Sequence, residues 1–356
     1  MKTVLFITHF PTDQERDGIF QRVLAIDKEF KGCRRIYLDI GRRNCFLGKR
    51  EDMGGNLTIL NLNFFVHYFK IQSIINKSDA IYFHSLYNFK KVLFFNINRK
   101  TVILDFHGCV PEELSFSGKK YLSKMYAKIE KMAVIKSSKF VCVSEEMKCF
   151  YEKKYPSILN KTIVVKPIYS SDVFRESKKD EIDNLKDSLG IKSDDCVILY
   201  SGNLQKWQNV DMMLAKMVQC NRKDFFFIIL TGQEKEMNKR LQTFNGFKNL
   251  RYVILSVAPK EIHKFYQCAH YGFILRDDHV LNRIAAPTKL VEYLYYGLTP
   301  IVLCEYIGDA YKLGYEYVKV NEDLNSLYPH KCINNIQIAK RMATNFYNAN
   351  FLDLIS

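Results

Sequence analysis

The run Phe273-Ile-Leu-Arg-Asp-Asp-His-Val-Leu-Asn-Arg-Ile-Ala-Ala-Pro-Thr-Lys-Leu-Val-Glu-Tyr-Leu-Tyr-Tyr-Gly-Leu-Thr-Pro300 is the most informative segment of the chain for chemistry. Arg276, Asp277, Asp278, Asn282, Arg283 and Lys289 crowd one strand-to-helix loop, a concentration of polar function more typical of a site than of a connector. Pro287 suits the first turn of a helix, where its missing N–H is harmless, and Gly297 with Pro300 ends that helix. Its amino end offers unpaired N–H groups and the positive end of a dipole, so Thr288 and Lys289 stand where a phosphate is held. Glu292, four residues after Thr288, lies on the same face one turn deeper. It can accept hydrogen bonds from a hydroxylated group on that phosphate, such as a ribose. The plainer alternative is a surface helix in which Lys289 and Glu292 form an i, i+3 pair worth about 0.2–0.5 kcal/mol. Asp277-Asp278 looks like a metal-binding acid pair, but the basic residues beside it argue against a divalent ion, and no metal is expected.

A second strand-to-helix turn, Tyr200-Ser-Gly-Asn-Leu-Gln-Lys-Trp-Gln208, holds the only tryptophan. Gly202 lets a ligand approach the backbone, Lys206 supplies charge, and Trp207 or Gln208 can face a nucleotide. Ser-Gly-Asn is also an ordinary turn. Three histidines follow apolar runs in the first half: His9, His84 after Ile81-Tyr82-Phe83, and His107 after Leu104-Asp105-Phe106. Such a histidine can simply satisfy a buried polar contact, the reading favoured for His84, whereas Gly108 lets the backbone beside His107 come close to a ligand.

A scaffold must bring these residues together. Short β-branched or aromatic runs alternate with longer amphipathic stretches, the signature of parallel strands joined by crossover helices, so the class is α/β. Strands are expected near residues 4–8, 35–40, 57–62, 80–84, 102–106, 140–143 and 163–166, then near 197–201, 225–231, 251–255, 271–275 and 300–304. Between the sets, the polar segment 167–190 reads as a linker leading into a helix. The expected domains are 1–168 and 169–334, with 335–356 closing the chain as a helix or two that packs back on the first. Open parallel sheets bind ligands beyond the carboxyl ends of their strands, where the residues above fall.

A chain of 356 residues exceeds one compact core, and 47% hydrophobic with 26% charged residues excludes a disordered or fibrous protein. No apolar run reaches the roughly 18 to 20 residues of a spanning helix. The first residues lack a cleavage site and read as a strand, so a cytoplasmic location is expected. Ten cysteines without a C-x-x-C pair argue against a zinc site or a disulfide framework. Residues 1–168 carry 29 Lys/Arg against 16 Asp/Glu, a surplus of +13, which leaves +2 of the total +15 for the remainder. Such asymmetry suits an anionic partner, nucleic acid or membrane, although a codon bias toward Lys and Asn would produce part of it. No zinc finger, RNP sequence or recognition helix supports nucleic acid. Seven lysines between Lys119 and Lys139 face one acid, Glu130, while Leu122, Met125, Tyr126, Ile129, Met132 and Ala133 form the opposite stripe. A basic amphipathic helix of this kind can lie peripherally on the inner face of an anionic membrane, each Lys adding about 1 kcal/mol. Equally, the stripe can be core and the lysines a solvated face.

Taken together, the Tyr-Ser-Gly-Asn-Leu-Gln-Lys-Trp-Gln loop, the Asn282-to-Ile301 segment and the Asp-Phe-His-Gly turn resemble family 4 glycosyltransferases of the GT-B architecture, two Rossmann-like domains facing each other across a cleft. The resemblance spans nearly the whole chain and is strongest from Val197 to Val302. It implies a C-terminal domain that binds a UDP- or GDP-linked sugar donor and an N-terminal domain that binds a saccharide or lipid-linked oligosaccharide acceptor. It also implies transfer with retention of anomeric configuration, as in capsule, O-antigen or exopolysaccharide assembly, with no cofactor. By the same resemblance Glu292 grips the ribose, Gly202 is the glycine of the first donor loop and His107 stands beside the donor sugar. Gly18 corresponds to the glycine turn after the first strand, bordering diphosphate and acceptor.

Three departures alter that pattern. The family's first glutamate falls at Ile284, so Asp277 or Asp278 is expected to meet the sugar hydroxyls instead. Its diphosphate-gripping arginine and lysine fall at Asn203 and Gln208, so Arg283, Lys289 or Lys206 must carry the charge that stabilises the departing phosphate. The usual Asn-Gly of the linker is missing from Pro167 to Asp172. Two rival functions are an epimerase or hydrolase of nucleotide sugars on the same fold, and a basic module that binds nucleic acid without catalysis.

Overall fold

The computed structural model describes residues 1–11, 18–44, 46, 48–167, 174–347 and 351–355. The chain divides into two compact units, Met1–Ile168 with Asn348–Ser356, and Tyr169–Tyr347. Cys45 and most of the segment from Pro167 to Asp172 lie outside the described residues.

The first unit runs β1 (Thr3–Ile7), α1 (Gly18–Glu29), β2 (Arg34–Gly41), β3 (Lys49–Gly54), β4 (Leu57–Asn63), α2 (Tyr68–Lys77) and β5 (Ala80–His84). It continues with α3 (Leu86–Phe89), β6 (Thr101–Phe106), α4 (Val110–Phe116), α5 (Lys120–Lys136), β7 (Lys139–Cys142), α6 (Glu145–Lys154) and β8 (Thr162–Val165). Its sheet has the order β3-β4-β2-β1-β5-β6-β7-β8. All pairings are parallel except that of β3 with β4. The strand order reverses at β1, so the carboxyl ends of β1 and β5 flank a topological switch point, the place where such sheets bind ligands.

The second unit runs α7 (Lys179–Leu189), β9 (Cys196–Ser201), α8 (Val210–Gln219), β10 (Phe225–Leu230), α9 (Glu234–Gln242), β11 (Tyr252–Leu255) and α10 (Ile262–Cys268). It ends with β12 (Tyr271–Ile274), α11 (Val280–Arg283), α12 (Thr288–Tyr295), β13 (Thr299–Val302), α13 (Gly308–Lys312), β14 (Val318–Lys319) and α14 (Ile333–Tyr347). The all-parallel order β11-β10-β9-β12-β13-β14 places the switch between β9 and β12. Along β9 the side chains divide by twos: Cys196, Ile198 and Tyr200 enter one core, Val197 and Leu199 the other. Helices on both faces therefore demand the unbroken apolar run seen in the sequence.

Each expected strand is present with its ends within two residues of expectation. The short edge strand β14 and the polar edge strand β3 carried no apolar signal. The latter, Lys-Arg-Glu-Asp-Met-Gly, is set by its turn, where Gly55 and Asn56 adopt φ of 53° and 62°. Helix α14 belongs to the second unit, and the first includes the residues beyond it, where Phe351, Leu354 and Ile355 are buried against Phe30 and its neighbours.

The basic helix α5 corrects one reading. Glu130 is wholly buried, accepts hydrogen bonds from Tyr155 (2.7 Å) and Tyr151 (3.2 Å), and pairs with Lys154. Tyr126, Ile129 and Ala133 of the stripe are core, whereas Leu122 and Met132 remain exposed. The described cysteines are free thiols, and burial pushes Cys268 up to about 11 and Cys196 up to about 12, which leaves them unreactive. No helix of the described residues is long and apolar enough to cross a membrane.

Candidate functional site

The polar residues of the second unit assemble at its switch point. Strands β9 and β12 pair only at Ile198 and Leu199, so their carboxyl ends part. The Ser201 N–H is satisfied instead by the Tyr293 hydroxyl of α12 at 2.9 Å. Gly272 of β12 makes room for this: a Cβ there would stand 2.4 Å from the Tyr293 ring. Gly308 (φ 51°) performs a similar service for the loop ahead of α12, since a Cβ would meet the Ala285 carbonyl at 2.2 Å.

On that helix, Lys289 Nζ lies 3.3 Å from Glu292 Oε2 and 3.3 Å from the Tyr266 hydroxyl, which itself donates to Glu292 Oε2 at 2.8 Å. Ser201 Oγ is 3.2 Å from the same hydroxyl. The i, i+3 pair is thus present, but as one edge of a network with Glu292 only 6% exposed, not as a surface contact. Oε2 is fully used, while Oε1 makes no hydrogen bond among the described residues. Pro287 precedes the helix as its cap, and Thr288 opens it.

The loop between β12 and α12 is laced by its own side chains. Arg283 forms a two-pronged pair with Asp278, 2.7 Å on each prong, and its guanidinium stacks 5.0 Å from the centre of the Tyr306 ring. Both partners are about half exposed, so the charge expected at a phosphate is already opposed by a carboxylate. Asn282 donates to the Asp277 carbonyl at 2.8 Å. Asn209, in the left-handed region at φ 49°, donates to the Leu275 carbonyl (3.0 Å) and to Asp277 Oδ1 (3.2 Å), tying the two loops together. In the β9 loop, the Gly202 N–H is taken by the Leu230 carbonyl at 3.0 Å. Asn203 donates to Gln205 at 3.0 Å, and Lys206 to Gln208 form one 3-10 turn with Lys206 exposed.

Arg276 was one basic residue among several in the sequence. It is the second residue beyond β12, and its Nε is shut from solvent with no hydrogen-bond partner. Tyr266 and Tyr293 were not anticipated either. They come from separate elements, and no local spacing links Tyr266 to Glu292.

In the first unit Gly18 begins α1, and His107 follows β6. Arg22 from α1 holds Asp105 through Nε (2.9 Å) and Nη2 (2.7 Å) and donates to the Lys166 carbonyl at 2.8 Å. Tyr82 donates to Asp105 at 2.9 Å, and His107 Nε2 lies 3.1 Å from the same carboxylate. Burial alone would raise the Asp105 pKa, but Arg22 and His107 outweigh it and hold the carboxyl well below its usual range. His107 Nδ1 is closed to solvent with no hydrogen-bond partner among the described residues. His84 is buried against His107 (3.3 Å) and burial pushes its pKa down, but its Nε2 is closed to solvent with no hydrogen-bond partner, so the expected buried contact is satisfied at one nitrogen only. His84, Asp105 and His107 are close enough to one another for a metal, yet a divalent ion would stand beside the Arg22 guanidinium that already occupies Asp105.

A scan against protein-family models finds no match, and a search of curated proteins finds no significant one. Solved structures do match over essentially the full chain. Anabaena HepE in complex with UDP and glucose superposes with a TM-score of 0.62 at 13% identity, covering 100% of this chain and 97% of that one. A trehalose-6-phosphate structure from E. coli bound with UDP-2-fluoro glucose gives 0.64 at 11% identity, covering 100% and 99%. WaaG, a glycosyltransferase involved in lipopolysaccharide biosynthesis, gives 0.62 at 12%, covering 99% and 97%. At these identities the likeness concerns architecture, and with the two parallel sheets described above it establishes that the chain has the GT-B fold of two Rossmann-like domains.

Proposed function

We propose that this protein is a glycosyltransferase that moves a sugar from a nucleoside diphosphate donor, held by the second unit, to a saccharide acceptor held by the first, with retention of configuration. The observation that carries this reading is Glu292: a buried carboxylate on the first turns of α12, at the switch point, with one oxygen fixed by Lys289 and Tyr266 and the other uncommitted. That oxygen is suited to a ribose hydroxyl, and the amino end of α12 to a phosphate. Similar folds carrying UDP, glucose and UDP-2-fluoro glucose support the donor class.

In the reaction the bond from the anomeric carbon to the phosphate oxygen breaks with its electron pair moving to that oxygen. The acceptor oxygen bonds to the same carbon, and its proton passes to the departing phosphate. Lys289 and the helix amino end meet the growing negative charge. His107 orients the sugar by hydrogen bonding, and Asp277, the acid that Arg283 leaves free, presents its carboxylate to the sugar hydroxyls. No residue here is assigned as a metal ligand.

A thermal-shift panel of UDP- and GDP-sugars, followed by product analysis with saccharide acceptors, tests the proposal. The correct donor at many times its dissociation constant should stabilise the protein by about 2 to 4 kcal/mol. Lys289→Ala should cut turnover at least about a hundredfold, the loss typical when one charge-stabilising group is removed. Absence of any nucleotide effect, or normal turnover in that variant, would overturn the reading.

A lipid-linked acceptor presented at an anionic membrane is supported by the surface of α5. There Tyr121 and Ile135 are 82% and 66% exposed among lysines.

A further inference from the structure

The geometry points to Arg276 as the cation that receives the diphosphate of the donor, in place of the arginine and lysine missing at Asn203 and Gln208. This assignment rests on the nucleotide-sugar reading above and identifies which group holds the donor's charge.

Three observations carry it. Arg276 stands at the carboxyl end of β12, beside β9, at the switch point where this sheet topology opens its ligand crevice. Arg276 is half-buried, its Nε is closed to solvent with no hydrogen-bond partner, and its guanidinium pairs with no carboxylate among the described residues. The two acids that follow it cannot compensate, since Asp277 accepts from Asn209 and Asp278 is gripped by Arg283. Finally, Lys289 lies in the first turn of α12, at the far end of the loop that opens near Arg276, so the loop carries a cation at each of its ends.

A donor closed to solvent and left unpaired is costly, and an anion that the chain does not itself supply would satisfy it together with the charge it belongs to. Burial lowers the Arg276 pKa, the direction expected of a cation lacking an anion. A diphosphate meets the need, because its oxygens match the planar fork of a guanidinium in two-pronged hydrogen bonds. Arg283, by contrast, already has its carboxylate and its aromatic ring.

The test compares the full-length protein with Arg276→Met and Arg276→Lys, each titrated with UDP, GDP and inorganic pyrophosphate by calorimetry, with melting temperatures recorded before ligand is added. Arg276→Met should bind the preferred diphosphate at least about tenfold more weakly. It should melt at the same or a higher temperature than the parent without ligand, and Arg276→Lys should recover part of the affinity. Unchanged affinity in Arg276→Met, or a ligand-free protein that melts lower while binding normally, would overturn the assignment. Parent protein that binds pyrophosphate but neither nucleotide, with loss in Arg276→Met, would keep Arg276 as an anion site and reject the nucleotide donor. Parent protein that binds none of the three would reject both.

Discussion

Asp105 is the most constrained carboxylate in the first unit, because Arg22, Tyr82 and His107 all converge on it in a site closed to water. Replacing it with Asn would leave the Arg22 guanidinium buried without its anion, a change that costs about 3 to 5 kcal/mol. Urea denaturation of Asp105→Asn should therefore show a large drop in midpoint, whereas His107→Ala, which removes one partner of the carboxylate and leaves the ion pair, should lower stability far less. Equal losses in the two variants would show that the histidine is structural. Among the site residues, types and order were legible from the chain: Lys289 and Glu292 do meet at one helix turn. Their third partner, Tyr266, was not, because it arrives from another helix. Nor could the sequence distinguish Arg276 from Arg283, since the difference lies in which of them has a carboxylate opposite.

At the scale of elements, the seat of α12 on the sheet depends on the absence of a side chain at Gly272, where the Tyr293 ring passes. A methyl group placed 2.4 Å from that ring must push it aside and detach its hydroxyl from the Ser201 N–H. Gly272→Ala should destabilise the protein by about 1 to 3 kcal/mol, the usual penalty of overpacking, with the slope of the urea transition unchanged. The same displacement moves Lys289 and Glu292, so donor affinity should fall together with stability, and Tyr293→Leu in the Gly272→Ala background should regain part of the loss. Helix α5 works on a different principle. Its lysines are free of the core, so replacing Lys120, Lys124 and Lys128 with Glu should abolish flotation with anionic liposomes while leaving the melting temperature nearly unchanged. Retained flotation would exclude the electrostatic account.

For the whole molecule, acid sensitivity is the expected signature of its buried histidines. His270 accepts a hydrogen bond from the Val197 N–H through Nδ1 (3.0 Å), which requires the neutral ring, and burial with nearby lysines lowers its pKa from an ordinary 6.5 to about 3. Because the folded value is depressed, its contribution is complete above pH 6.5 and is lost as pH falls toward 3, the unfolded chain taking up the proton first. Stability should decline by up to about 1.4 kcal/mol per pH unit from this group, and His270→Gln, measured over the same range by urea titration, should lose that slope. The uneven charge, the α/β class and nearly every strand could be read directly from the chain, because apolar period and turn chemistry are local properties. What only the folded molecule decided is which polar groups are already paired. Glu130, Asp278 and Arg283 look like open functional groups in sequence and are committed in three dimensions, whereas Arg276 is left over. Pairing between residues far apart in the chain depends on strand order and on where crossovers deliver each helix, and no spacing along a single segment encodes it.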